Sequence, residues 1–158
     1  MATEIERKFL VRDESWRAHA APGIFYRQGY LSSAPTCSIR VRVAGDQAHL
    51  NIKSATLGVA RTEYEYPIPP EDGREMLATL CRGAVIEKTR YFVEHGRHTW
   101  EIDVFEGDNA GLVVAEIELR DTDEPFEYPP WLGREVSDDV RYYNACLVEH
   151  PYKEWGSR

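Results

Sequence analysis

Charge recurs at every second residue in this chain, strand after strand, and that period dictates what it can fold into. In Glu4-Ile5-Glu6-Arg7-Lys8 an extended backbone puts Glu4, Glu6 and Lys8 on one face, with Ile5 and Phe9 on the other. Ser38 to Val43 sets Arg40 and Arg42 against Ile39, Val41 and Val43 in the same way. Arg61 to Tyr66 groups Arg61 with Glu63 and Glu65; Val85 to Phe92 groups Lys88 with Arg90; Thr99 to Phe105 groups Glu101 with Asp103. Leu112 to Leu119 mirrors the first strand, Glu116 and Glu118 standing opposite Ile117 and Leu119. A helix would scatter these positions around its circumference, so the chain reads as mainly β.

The connecting stretches fit that reading. Ala44-Gly45-Asp46-Gln47 turns into a further alternating run, His49 to Lys53, and so closes a hairpin. Phe25 to Leu31 is an aromatic-rich strand that ends at Ser32-Ser33-Ala34-Pro35. Thr56 to Ala60 reads as a loop, and Pro67, Pro69 and Pro70 stop the strand after it. Pro69-Pro70-Glu71-Asp72 opens a helix through Met76, Leu77 and Leu80, its first turn acidic and Gly83 beyond its end. The apolar stripe of that helix needs a sheet to cover. Shorter helices are expected from Asp13 to Ala18, packed on the sheet, and from Arg141 to Val148 after a Pro-rich link through Trp131. The last residues, Trp155 among them, read as a frayed tail.

A length of 158 residues suits one domain spanning 1–158 with a proper core. With 42% hydrophobic and 29% charged residues the composition is that of a soluble globular protein, and no apolar run approaches a membrane span. The net charge of -8 argues against nucleic acid as a partner, though it leaves room for a local basic pocket. Cys37, Cys81 and Cys146 are far apart and lack metal-ligand spacing, which points to free thiols in a reducing compartment, the cytoplasm by default. The histidines have no coherent metal spacing either, and Trp100 and Trp131 read as packing residues.

Two architectures hold such strands. In a sandwich the charged faces meet water and the apolar faces share a core. In a closed sheet the charged faces line a wet lumen, and helices or a partner subunit cover the apolar exterior. Composition does not separate them, but the sign pattern is informative, because whole strand faces carry one sign. Arg40 beside Arg42, and Lys88 beside Arg90, repel unless an anion lies between them; Glu116 and Glu118 repel unless a cation does. Carboxylates suit a hard divalent cation, and guanidinium and ammonium groups suit phosphate oxygens. A lumen offering both would bind a polyphosphate chelated to metal.

Glu4-Ile5-Glu6-Arg7-Lys8 resembles the ExExK signature of the CYTH superfamily, the triphosphate tunnel metalloenzymes. The resemblance continues in family order through Gln28 to Leu31, Ile39 to Arg42, Ile52 to Ser54, Glu63 to Glu65, Glu87 to Tyr91, Glu101 to Phe105, Glu116 to Glu118 and Glu135 to Asn144. It is similar above all to the short bacterial members, and implies an antiparallel eight-stranded β-barrel or tunnel with a charged lumen and peripheral helices. It also implies a divalent metal, Mg²⁺ or Mn²⁺, and hydrolysis of inorganic tripolyphosphate or a related triphosphate. By matching position, Glu4, Glu6, Glu116 and Glu118 look like metal ligands, with Asp103 a further ligand or a carboxylate behind them, and Glu63 and Glu65 either ligands or partners of neighbouring arginines. Lys8, Arg40, Arg42, Lys53, Lys88 and Arg90 look like the phosphate cradle. Glu118 or Glu116 would take the proton of the attacking water, and Tyr30 would hydrogen-bond Lys8. Ser137 stands where many relatives have Thr, and Arg134 reads as a solvated loop residue.

The same scaffold implies three alternatives: a class IV adenylate cyclase making cyclic AMP, a thiamine triphosphatase, and a non-catalytic polyphosphate- or nucleotide-binding module. No aromatic clamp for a thiazolium is evident. Binding alone needs the basic cradle, whereas hydrolysis also needs carboxylates to hold metal, and this chain has both. The expected partners are a small triphosphate substrate and a second copy in a homodimer, with no nucleic acid and no membrane.

Overall fold

The structure, a computed structural model, describes residues 2–34, 36–54 and 59–156. Thr56, Leu57 and Gly58 of the expected loop, and Pro35 at the expected strand end, lie outside the described residues. The strands are β1 (Ala2–Val11), β2 (Ile24–Ser33), β3 (Cys37–Ala44), β4 (Gln47–Ser54), β5 (Ala60–Ile68), β6 (Arg82–His95), β7 (His98–Phe105), β8 (Val113–Leu119) and β9 (Leu132–Glu135). Their order is β5-β4-β3-β2-β6-β7-β8-β1-β9, and a further pairing of β5 with β1 closes the first eight into an antiparallel barrel. The expected closed barrel is therefore observed, and β9 is an addition that alternation could not reveal, because it lies outside that barrel, covering the end of β1.

Closure decides where each face of the alternation goes. Odd residues of β1 point outward: Phe9 is 1% exposed and packs with Trp100, Ile117, Trp131 and Leu132 in a core on the outer surface of β1, β7 and β8. The short 3-10 helix Ser15–His19 delivers Trp16 to that core, its ring 5.1 Å from Tyr91. On the opposite side α1 (Pro70–Thr79) covers Val41, Val43 and Ala48 with Leu77. Gly73 makes this approach possible, since a Cβ there would lie 2.8 Å from that of Ala48. Leu80, expected in the helical stripe, is instead exposed, because α1 ends at Thr79 and the chain turns away to β6.

Other boundaries move for physical reasons. β5 runs through Pro67 to Ile68, past the expected stop. Its pairing with β1 ends at Glu63, so the missing N–H of Pro67 costs no hydrogen bond on that side of the strand. The expected C-terminal helix is broken into a 3-10 turn, Val140–Tyr142, and α2 (Asn144–Leu147), with Tyr143 extended between them. The tail is not frayed at Trp155: its ring lies 5.0 Å from those of Tyr142 and Tyr152, and its indole N–H donates to the His150 carbonyl.

This C-terminal segment closes one end of the barrel. Tyr30, Ile86, Phe105 and Val114 pack with Val136, Tyr142, Leu147 and Val148 into an apolar floor. The rest of the lumen stays polar. Among the described residues no helix is long and apolar enough to cross a membrane, and the three cysteines are free.

Candidate active site

Above the floor lies a cavity of about 280 Å³. Strand order divides its wall by charge. β1 supplies Glu4, Glu6 and Lys8; β8 places Glu118 directly opposite Glu6 and Glu116 opposite Lys8; β7 places Glu101 opposite Glu116. Across the lumen, β3 and β4 supply Arg40, Arg42 and Lys53. Arg61 on β5 and Arg90 on β6 stand where the basic arc meets the acidic one.

Ion pairs form at those two meeting lines. At one, Lys53 Nζ lies 3.0 Å from Glu4 and 3.8 Å from Glu63, and Arg61 lies 3.8 Å from Glu4. At the other, Arg90 holds Asp103 through Nε and Nη2 at 2.7 and 2.9 Å, with Glu101 at 3.2 Å and Glu116 at 3.5 Å. The middles of the arcs are not neutralised in this way. Arg40 and Arg42 have no carboxylate within 4.0 Å among the described residues, and Arg40 Nε is buried without a hydrogen-bond partner. Glu6 and Glu118 likewise have no cation within that distance among the described residues.

The acidic arc shows the consequence. Burial pushes the Glu6 carboxyl well above the usual carboxylate range, and the charge of Glu116 and a hydrogen bond shared with it push the same way. Burial also opposes ionisation of Glu116, but Lys8, the Glu6 hydrogen bond and Arg90 outweigh it and hold this carboxyl well below its ordinary value. Burial, Glu4 and Glu63 raise Glu118. The two carboxyls are thus driven in opposite directions, and a divalent cation between them would satisfy the charge of both. Among the described residues no three acidic, His or Cys side chains form a cage. Such a set fits a cation that completes its shell with phosphate oxygens and water, as Mg²⁺ characteristically does.

The structure gathers most of the expected site around this cavity: Glu4, Glu6, Lys8 and Tyr30, then Arg40, Arg42, Lys53, Glu63 and Glu65, then Arg90, Glu116 and Glu118. Lys88 and Asp103 are not on its lining. They are 1% and 0% exposed and bound to each other at 2.8 Å beneath it, Lys88 lying over the Phe105 ring of the floor. The anion that Lys88 and Arg90 required is therefore partly internal. Tyr30 does not bond Lys8, whose ammonium donates instead to the Tyr142 carbonyl at 3.1 Å and sits over the Tyr143 ring. The C-terminal segment reaches Lys8 first.

Seven lining residues went unassigned in the sequence, and four of them bear on the charge and shape of the site. Arg61 and Glu101 share the inward parity of their neighbours and were legible in the alternation. Asn51 lies behind no charge signal, yet its amide donates to Glu63 at 3.0 Å and Glu65 at 2.8 Å, holding two carboxylates together. Tyr143 arrives from the C-terminal segment, where no strand period marks it.

A closed antiparallel barrel whose lumen sets an acidic arc against a basic one has a charge layout complementary to a polyanion and its counter-cation. Residues 2–145 match the CYTH domain, and the chain belongs to that family. It is 46% identical over 155 residues to an inorganic triphosphatase of Acetivibrio thermocellus, an alignment covering 98% of this chain and 99% of the relative. An inorganic triphosphatase of Nitrosomonas europaea is 41% identical over 153 residues, covering 92% and 97% of the two chains. Among solved structures, the crystal structure of an inorganic triphosphatase superposes with a TM-score of 0.66 at 35% identity, over 91% of this chain and 96% of that one.

Proposed function

We propose that this chain hydrolyses inorganic tripolyphosphate, or a closely related triphosphate, with Mg²⁺ or Mn²⁺. The observation that carries the reading is the pairing of unneutralised arcs: Arg40 and Arg42 face into the same cavity as Glu6 and Glu118. The names of the relatives support it.

Arg40, Arg42, Lys53 and Arg90 bind the phosphate oxygens, Arg through its planar fork and Lys as a point charge. Glu6 and Glu116, with Glu4 and Glu118 beside them, would hold the cation, which when bound would neutralise charge on the phosphate oxygens and lower the pKa of water. A water on the acidic side attacks the terminal phosphorus in line and gives its proton to Glu118 or Glu116. As the new P–O bond forms, the bridging P–O bond breaks and pyrophosphate leaves against the basic arc, where the developing negative charge is stabilised. Lys88 and Asp103 act from beneath the cavity, Asp103 fixing Arg90 and Lys88 fixing Asp103. Lys8, tied to the C-terminal segment, places its ammonium between the floor and the phosphate chain.

Phosphate release from tripolyphosphate, pyrophosphate, ATP and thiamine triphosphate, each with several metals, tests the reading. Tripolyphosphate should be cleaved fastest, and Glu116→Gln should lose at least about 100-fold in kcat, the scale on which charge stabilisation acts. Full activity of Glu116→Gln would remove the metal assignment. Cyclic AMP and pyrophosphate from ATP would instead mark a cyclase, and tight tripolyphosphate binding without turnover a binding module.

A further inference from the structure

Arg42, like Arg40, is a loosely restrained cation of the lumen. It makes no ion pair and no hydrogen bond to a protein acceptor among the described residues, and four side-chain torsions leave such a group many orientations. What it does meet is a ring: the guanidinium carbon lies 4.6 Å from the centroid of Tyr26. The same ring receives Arg90 at 5.4 Å. Tyr26 reaches this place because β2 lies between β3 and β6, and it is 8% exposed with no hydrogen bond from its hydroxyl among the described residues. The ring face, not the hydroxyl, is therefore the working part.

Tyr26 and Arg42 also border a second hollow of about 370 Å³ beside the cavity, lined further by Ile24, Asp46, Gln47 and His49. Arg42 lines both spaces. The hollow also holds the Asp46 carboxylate, an alternative partner for Arg42, while in the lumen Arg40 and Arg90 repel the guanidinium and Glu65 attracts it. An aromatic face that attracts a cation opposes displacement of Arg42 into the hollow.

We propose that Tyr26 is a positioning residue for substrate binding: its ring holds the Arg42 guanidinium inside the lumen, aimed at the phosphate chain, in the absence of substrate. The inference rests on the phosphate-binding role given to Arg42 above. Arg90 needs the ring less, because Asp103 already grips it at two nitrogens. Loss of the ring should accordingly weaken substrate capture through Arg42 and leave the chemical step, which the acidic arc governs, largely intact.

Steady-state kinetics on tripolyphosphate with Mg²⁺, alongside thermal melting, tests this. Tyr26→Leu should raise KM by about 3- to 30-fold, the range of a partly to fully desolvated cation–π contact, with kcat changed by less than about threefold. Tyr26→Phe, which keeps the ring, should restore KM to within about twofold of the parent. In an Arg42→Gln background the same Tyr26→Leu change should add less than about twofold, because the group it positions is gone. An unchanged KM in Tyr26→Leu, or an equal rise with and without Arg42, would overturn the proposal. Should Tyr26→Leu melt far below the parent, Tyr26→Met fills similar space without a ring and carries the same expectations. If Arg42→Gln alone leaves KM and kcat unchanged, the phosphate-binding role of Arg42 fails, an outcome distinct from failure of Tyr26 alone.

Discussion

Replacing Asp103 by Asn asks whether the hidden ion pair holds the barrel together. Asp103 is 0% exposed and accepts from Lys88 at 2.8 Å and from two nitrogens of Arg90. Burial alone would raise its carboxyl, but Arg90 and Lys88 outweigh burial and hold it below its usual range. Burial pushes Lys88 the other way, down to about 8, despite the attraction of Asp103. The Asp103→Asn substitution would leave the Lys88 ammonium buried with no anion in contact. Breaking a buried pair from one side costs about 3–5 kcal/mol. At roughly 2–4 °C per kcal/mol for a chain of this size, the melting temperature should fall by about 6–20 °C.

The pH dependence carries a sign. Between about 8 and the unfolded value of 10.5, folded Lys88 has lost its proton and unfolded Lys88 has kept it. The unfolded state then binds more protons, so stability rises with pH across that window. Without Asp103 the folded-state value drops further, and the gain begins at lower pH. The deficit of Asp103→Asn should therefore be largest near pH 6, shrink up to about 8 and stay level above it. Thermal melts followed by circular dichroism from about pH 6 to 10 measure this. A fall smaller than about 2 °C, or a deficit that widens as pH rises, would refute the reasoning.

Arg7→Gln should weaken the protein at neutral pH but not in acid: the bidentate hydrogen bond from Arg7, at 2.6 and 2.9 Å, is the largest cause holding Glu135 below its ordinary range. That contribution is present above the unfolded carboxylate value and disappears as pH falls through the folded one, so parent and variant denaturation curves should converge at low pH. Trp155→Ala should lower stability by about 1–3 kcal/mol through loss of its edge-to-face contacts with Tyr142 and Tyr152. A melting temperature unchanged by that substitution would return the segment to the status of a loose tail.

Much of the site could be read from the chain because strand alternation is a local property. Backbone geometry alone puts Glu4, Glu6 and Lys8 together, and likewise Arg40 with Arg42 and Glu116 with Glu118, whatever the sheet later does. Arg61 and Glu101 were available by the same parity. Tyr26, Asn51 and Tyr143 were not, since what matters about each is a neighbour from another strand or from the distant C-terminal segment.

Eight of the nine strands, the charges on their faces and, through the ordered resemblance to the CYTH family, the kind of barrel expected were thus legible in the chain alone. Tertiary pairing of β5 with β1 is what turns the charged faces inward and leaves Phe9 packed outside. Only the tertiary structure decided which charges cancel. Lys88 and Arg90 looked like equals of Arg40 and Arg42, yet the former pair meets Asp103 across the β6–β7 pairing while the latter meets no carboxylate among the described residues. Side-chain direction along a strand is fixed within a few residues, but the partner of a charge is set by register between strands far apart in the chain, and it is that register which separates a buried ion pair from an open phosphate site.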